Sequence, residues 1–488
     1  MNRNDYEHSR PFDVHRWSEH PEVNTFVDDI FNTYFKQKTN IRKKHLKVVL
    51  LDLYIAWKDD PTLSIGVAMS PKAYKAGKSR YNALNIKRTT IDIVNELKEY
   101  ELINFIKGER FSQRFSYVSR ISASAKLIKK FEDSAFLEFV IGHHEGKETI
   151  VLRDKNKEEI EYEDNTNTRR MKKQLIAYNK LLEKSFIDIQ KYDASRILIK
   201  PKRRRRSDEP KYVNISHHNK FVRRVFNNSN FEQGGRFYGG WWQRIDGKIR
   251  KDIRINNIAT VEIDYSAIHV IMLYALMGID YWSNSNKDPY DINIRFVNNP
   301  EHSRKIIKLL LLLGLNANNE TSLFKAFRNE HDYETMPYEF TNERLSEILT
   351  NIKKEHNPIA HKICSGEGIR LMNYDSMIVE HILDDFIKRE TAILTVHDSF
   401  VVQIGQEDRL HKAMNKAFKH ITGLANIKEV KVKYNDNPVW SQMIGNRHLD
   451  RGYSLDVWRD TVYQPPTCKG YKRRYERHQR FFNKGSFI

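Results

Sequence analysis

The chain has 488 residues, of which 40% are hydrophobic and 11% aromatic, enough for two or three packed domains and too apolar for a disordered chain. Lys and Arg number 83 against 63 Asp and Glu, a formal net charge of +20, which favours polyanionic partners through counterion release. Two cysteines, Cys364 and Cys468, without a CxxC pair, exclude a disulfide framework and a cysteine-based zinc site.

The N-terminal MNRNDYEHSRPFDVHRW lacks the apolar stretch of a signal peptide, and the longest apolar run, Ile306 to Leu315, is too short to span a bilayer. A cytoplasmic protein with no membrane partner is expected. Residues 1–40 are polar and aromatic without a strong period. His45 to Trp57 reads as a buried helix, and Lys87 to Tyr100 as an amphipathic one, with Ile91, Val94 and Leu97 at three-residue steps. A β-rich segment (102–106), a turn at Lys107-Gly108-Glu109 and a second β-like run (114–122) follow. Helix, then hairpin with a basic tip, is the order of a winged helix, and the segment resembles the winged-helix domains of plasmid and phage replication proteins. That resemblance implies a nucleic-acid-binding domain over 1–135 that meets duplex DNA through Lys87 and Arg88. Winged helices also serve as protein-protein modules.

Residues 136–211 read as a helical and basic linker region, with a helix from Arg169 to Lys191 and the run KPKRRRRSDEPK (200–211). A solvated linker and a strap that grips phosphates both fit that run. The tail, 446–488, interleaves basic and aromatic residues, which suits stacking on unpaired bases. A helix packing Tyr471, Tyr475 and Phe481 on a core fits the same pattern.

Two stretches carry chemistry. TVEIDYSAIHVIMLYAL (260–276) alternates like a strand and then becomes an apolar helix, which delivers Asp264 to a strand end. AILTVHDSFVVQI (392–404) has two apolar β-runs flanking His397-Asp398-Ser399, as in a hairpin with an aspartate at its tip. Attack of a 3′-hydroxyl on an α-phosphate develops charge on the entering and leaving oxygens, which two Mg²⁺ ions about 3.5–4 Å apart stabilise. Mg²⁺ takes hard oxygen ligands, so two carboxylates suffice once a triphosphate adds its own oxygens. Either aspartate alone fits an ordinary turn or cap residue.

DYS before an apolar helix resembles motif A of the family A (DNA polymerase I-like) enzymes, and VHDSF resembles their motif C. The HDS form is similar to the single-subunit phage-type RNA polymerases, which share the palm. Between the two, HSRKIIKLLLLLGLNA (302–317) places Arg304 and Lys308 four apart on one helix face, like the family's fingers helix. FEQGGRFYGGWWQRI (231–245) matches more softly the segment that contacts the primer-template. The resemblance covers about 215–445 and implies an α+β chain whose right-hand polymerase domain, 212–445, has an antiparallel palm sheet and helical fingers.

By that resemblance Asp264, Asp398 and the carbonyl of Tyr265 hold two Mg²⁺ ions, or Mn²⁺ in their place. Arg304 and Lys308 hold the incoming dNTP or NTP, and Lys308 protonates the leaving pyrophosphate. Leu312 and His269 line the nucleotide pocket. Arg236, His397 and Asn373 meet the primer-template, and the glycines 234, 235, 239 and 240 permit close approach to the duplex. The helix 365–386 offers Arg370 and Asp375 as further contacts.

The sequence departs from the DNA enzymes where His269 replaces a glutamate that blocks the ribose 2′-hydroxyl, where Leu312 replaces an aromatic, and where Asn316-Ala317 replaces Tyr-Gly. No acidic cluster for a proofreading exonuclease is seen upstream. The expected function is a DNA polymerase of a mobile element or phage, working with other replication proteins. RNA synthesis as a primase or transcriptase on the same palm is the alternative, and a non-catalytic DNA-binding initiator is a second.

Overall fold

The computed structural model describes residues 8–74, 77–110, 116–199, 211–424, 431–433 and 467–482. The basic run 200–210 and the tail up to 466 lie outside these, as does the hairpin tip 111–115. The described residues form a mixed α+β structure around two large apolar cores, one drawn from residues 23–141 and one from 150–418.

The first core is built by β1 (Ser9–Pro11), α1 (Pro21–Tyr34), α2 (Asn40–Asp59), β2 (Ser64–Val67), α3 (Thr89–Glu99), β3 (Ile103–Ile106) and β4 (Ser119–Ala123). Thr39 caps α2 by accepting from the Arg42 amide, and every residue from His45 to Ala56 is buried. A helix apolar on all sides has to sit inside. α3 buries Ile93, Val94 and Leu97 and starts at Thr89, two residues after the predicted start. Lys87 and Arg88 therefore precede its first turn. The Lys87 amide donates to His45 Nε2 (2.9 Å), and the Arg88 side chain is exposed. The sheet runs β1-β2-β4-β3, with β4 antiparallel to both β2 and β3.

The second core corrects the predicted helix 169–191. It is α4, Thr166–Lys184, opened by an Asn165 capping box, and it is followed by a strand, β5 (Ile187–Ile189). Two β-branched residues flanking Asp188 satisfy a sheet edge better than another helical turn. α4 packs inside the second core, where the Tyr178 hydroxyl donates to the Ile393 carbonyl (2.7 Å) and Gln174 Nε2 to the Glu380 carbonyl (2.8 Å).

β6 (Arg223–Asn227) and β7 (Asn230–Tyr238) form a bulged hairpin, extended by a parallel strand at Ile150–Leu152. Next come β8 (Ile253–Ile255), β9 (Ile258–Asp264), α5 (Ile268–Leu276), α6 (Pro300–Asn316), α7 (Gly368–Lys388), β10 (Ile393–Val396), β11 (Ser399–Gln403), α8 (Glu407–Thr422) and β12 (Lys431–Lys433). The central antiparallel sheet has the order β5-β8-β9-β11-β10, with β12 also on β9. A last helix, α9 (Lys469–Phe482), lies against its β5 edge. The Tyr471 hydroxyl donates to Asn257 (2.8 Å) and Arg474 Nε to Asp188 (2.7 Å), so this part of the tail packs on the fold instead of presenting Tyr471 for base stacking. Among the described residues no helix is long and apolar enough to cross a membrane.

Candidate active site

β9 alternates as its sequence requires: Val261 and Ile263 are fully buried, while Thr260, Glu262 and Asp264 face the other way. Glu262 is held by Arg250 (2.9 and 3.1 Å). Asp264 is the last residue of the strand and only half-buried. The chain then turns inward at Tyr265, whose hydroxyl donates to the Met414 carbonyl of α8 (2.8 Å). Ala267, at φ +52°, turns it again into α5.

β10 and β11 pair through Val396↔Ser399, leaving His397 and Asp398 as a two-residue loop. His397 has φ +58°, a conformation that such turns usually give to Gly. Asp264 lies directly opposite Ser399 across the sheet. Paired Cα atoms in antiparallel strands are about 4.5–5.5 Å apart, so Asp398, one residue before Ser399, is a near neighbour of Asp264. Two half-buried aspartates thus lie near one another at one end of the sheet. The distance in sequence between them is closed by a strand pair.

α6 brings the cations. Asn299 caps it by accepting from the amides of Glu301 (2.9 Å) and His302 (3.3 Å), and Ile306, Ile307, Leu310 and Leu311 are buried. That stripe leaves Arg304 half-buried and Lys308 exposed, with Leu312 half-buried one turn on. Arg304 donates from Nε (3.0 Å) and Nη2 (2.8 Å) to Asp288 Oδ2. Both cations stand over the ring of buried Tyr290, at 5.4 Å for Arg304 and 5.8 Å for Lys308. Burial pushes the Tyr290 phenol above its usual range; the charges of Asp288, Asp398 and Asp264 act in the same direction and Arg304 against them. Tyr290 therefore lies within electrostatic reach of both strand-end aspartates and of Arg304. Neither it nor Asp288 stood out in the sequence, because Asp-Pro-Tyr in an irregular segment has no period to read.

A third group adjoins the pair. Arg236 of β7 donates from Nε to both oxygens of Asp375 on α7 (3.2 and 2.9 Å) and from Nη2 to the same carboxylate. His269 of α5 presents Nε2 to Asp375 Oδ2 (3.1 Å) and to Arg236 Nη2 (3.2 Å). One ring nitrogen satisfies only one of these at a time, donating to the carboxylate or accepting from the guanidinium. Burial works against the Arg236 cation, but the hydrogen bonds and charge of Asp375, and then the charge of Asp398, leave its pKa raised. The His397 imidazole is pushed down by burial and by Arg236, with Asp398 opposing. Its ring meets Tyr238 edge-on at 5.7 Å.

Asp375 corrects an expectation. It is 1% exposed in the middle of α7 and anchors Arg236 and His269 rather than facing a groove. Asn373 donates to the carbonyls of Phe231 (3.2 Å) and Gly234 (3.3 Å), tying α7 to β7, whereas Arg370 stays exposed. Gly235 of β7 is needed for the same contact. A Cβ on Gly235, at φ +83°, would stand 2.6 Å from the Phe226 ring and 3.0 Å from Ser376 Oγ.

No family model matches this chain, and no curated protein does. Among solved structures it is weakly similar to the POL domain of Pol1 from M. smegmatis, in complex with a DNA primer-template and dNTP. The match has 13% identity and a TM-score of 0.28, and covers 43% of this chain and 47% of that one. The chain thus spans less than half the length of that structure.

Among the described residues no three His, Cys, Asp or Glu side chains gather as a metal site. The donor chemistry of Asp264 and Asp398 nonetheless fits Mg²⁺. Both offer hard oxygens, and both residues are only half-buried, the kind of donor that phosphate and water oxygens join in a Mg²⁺ shell.

Proposed function

We propose that this chain is a template-directed DNA polymerase that extends a primer 3′-hydroxyl with dNTPs and has no proofreading exonuclease. The observation that supports it most is the strand register that sets Asp264 beside the Asp398 loop, and a helix between them in sequence puts Arg304 and Lys308 over the ring of Tyr290. Asp264, Asp398 and the Tyr265 carbonyl would hold Mg²⁺, which when bound supplies positive charge to the oxygens entering and leaving phosphorus.

The chain's own residues do the rest. Lys308, exposed on α6, binds the triphosphate and donates a proton to the departing pyrophosphate. Arg304 reaches the same phosphates by exchanging Asp288 Oδ2, which accepts from both its Nε and Nη2, for a phosphate oxygen. Arg236 and His397 position the primer end near Asp398. His269, braced by Asp375 and Arg236, discriminates the sugar, because a ring that cannot swing aside rejects a 2′-hydroxyl better than a mobile one.

Primer extension on a DNA template tests this reading. Efficient extension is expected with dNTPs and little with NTPs alone. Extension with NTPs would move the assignment to an RNA polymerase or primase, and no incorporation on primed or unprimed templates would leave a DNA-binding initiator.

We assign 1–135 as a winged-helix domain on duplex DNA, supported by its strand-helix-hairpin order and by the exposed Arg88 ahead of α3. Lys87→Ala with Arg88→Ala is expected to weaken duplex binding across all sequences and to reduce the slope of log K against log salt by about 1 to 2. An unchanged slope would point to a protein-contact role.

A further inference from the structure

α9 is wedged between the two halves of the fold. On the second core, the Gly470 amide donates to Asp193 Oδ1 (2.7 Å), Arg474 holds Asp188, and the Phe186 ring meets Tyr471, Tyr475 and His478 at 5.4, 5.1 and 5.4 Å. On the N-terminal unit, built around the first core, Arg477 Nε stands 3.3 Å from Glu138. The Phe139 ring there meets His478, Phe481 and Phe482 at 5.7, 5.3 and 5.8 Å.

These contacts use one side of the helix. At about 100° per residue, Lys469, Lys472, Arg473, Glu476 and Arg480 fall within an arc of about 100° on the other side, and all five are exposed. Arg474 and Arg477 on the inner side have carboxylate partners. Among the described residues, none of the four outer cations has a side-chain hydrogen bond or an ion pair. Two acids lie near them: Glu476 within the stripe, and Asp193, whose carboxyl is held below its usual range by the Gly470 amide and then by the charges of Arg473 and Arg474.

A row of unpaired cations attracts a polyanion and releases its counterions on contact. What the stripe lacks narrows the class. A grip on unpaired bases uses aromatic platforms, and the rings of Tyr471, Tyr475, Phe481 and Phe482 are spent on Phe186, Phe139 and one another. The stripe is also straight and about 16 Å long by the helix rise, close to half a turn of a DNA duplex.

We propose that the outer face of α9 docks the backbone of duplex DNA, with Lys469, Lys472, Arg473 and Arg480 on its phosphates. Because α9 touches both halves, the bound duplex passes over their junction. The inference rests on the nucleic-acid partner of the reading above, and not on its chemistry.

Binding of the full chain to a DNA duplex and to a single strand of equal length is followed by fluorescence anisotropy over a range of salt. EDTA is present and nucleotides are left out, so the result stands whether or not the chain polymerises. Changing Lys469, Lys472, Arg473 and Arg480 together to alanine lowers duplex affinity about tenfold or more. It also reduces the slope of log K against log salt by about 2 to 4, and the single strand loses less. Glu476→Gln removes the acid from the same stripe and tightens duplex binding, a gain that a damaged fold would not give. The proposal is overturned by any of three results: an unchanged slope in the four-site variant, an equal or larger loss on the single strand, or no gain in Glu476→Gln.

Discussion

Replacing Asp264 or Asp398 with alanine is expected to lower nucleotide incorporation by roughly 10³-fold or more while leaving primer-template binding nearly intact. The strand register makes the two losses equivalent. Asp264 ends β9 and Asp398 lies in the β10–β11 loop, so each supplies one carboxylate to the same corner of the sheet. On the proposed reading duplex affinity would rest on cations elsewhere, including Arg236 and the N-terminal unit, so it should change little. Single-turnover incorporation alongside a binding titration separates the two effects. Wild-type incorporation in either variant would remove that aspartate from the chemistry and with it the polymerase reading. Asp375→Ala gives a contrast: it frees Arg236 and His269 without removing a strand-end carboxylate, so its deficit should fall on primer affinity and sugar choice.

The largest effect on stability is expected at Arg224 and Glu380. Arg224 is 1% exposed; it donates to Glu380 Oε2 (2.6 Å), to Ser376 Oγ (2.9 Å) and to the Gly235 carbonyl (2.8 Å), while Arg170 also pairs with Glu380. Burial pushes the Arg224 pKa down, and Glu380 is the charge that opposes it. Removing Glu380 strands the Arg224 charge in the core, and such losses run at about 3–5 kcal/mol; removing Arg224 leaves Glu380 paired with Arg170 and should cost less. Arg224→Met with Glu380→Leu removes both charges and should recover most of that loss, a non-additivity that urea unfolding of the four forms would show. Additive losses would mean that the pair is not coupled. Because this pair clamps the β6–β7 hairpin to α7, the single variants should also loosen the Arg236–Asp375 contact beside Asp398.

Local pattern was enough for the elements that carry the candidate chemistry. The alternation of VEID set Asp264 at a strand end, two apolar runs around HDS set a hairpin loop at Asp398, and the stripe through Ile306, Ile307 and Leu310 left Arg304 and Lys308 facing outward. Each follows from burying one face of a strand or helix, which neighbours in sequence determine. The same reading misplaced the end of α4, because the preference of Ile187 and Ile189 for a strand appears only when Ile253–Ile255 lies beside them. It also left the tail undecided until Asn257 and Asp188 were seen to receive Tyr471 and Arg474.

The tertiary structure alone decided which charges meet. Asp375 looked like a surface contact until β7 and α5 brought Arg236 and His269 to it. Tyr290 had no meaning until α6 lay over it. Periodicity records how one face of an element is buried. Ion pairs between residues more than a hundred positions apart depend on where the chain returns, and only the packed sheet fixes that.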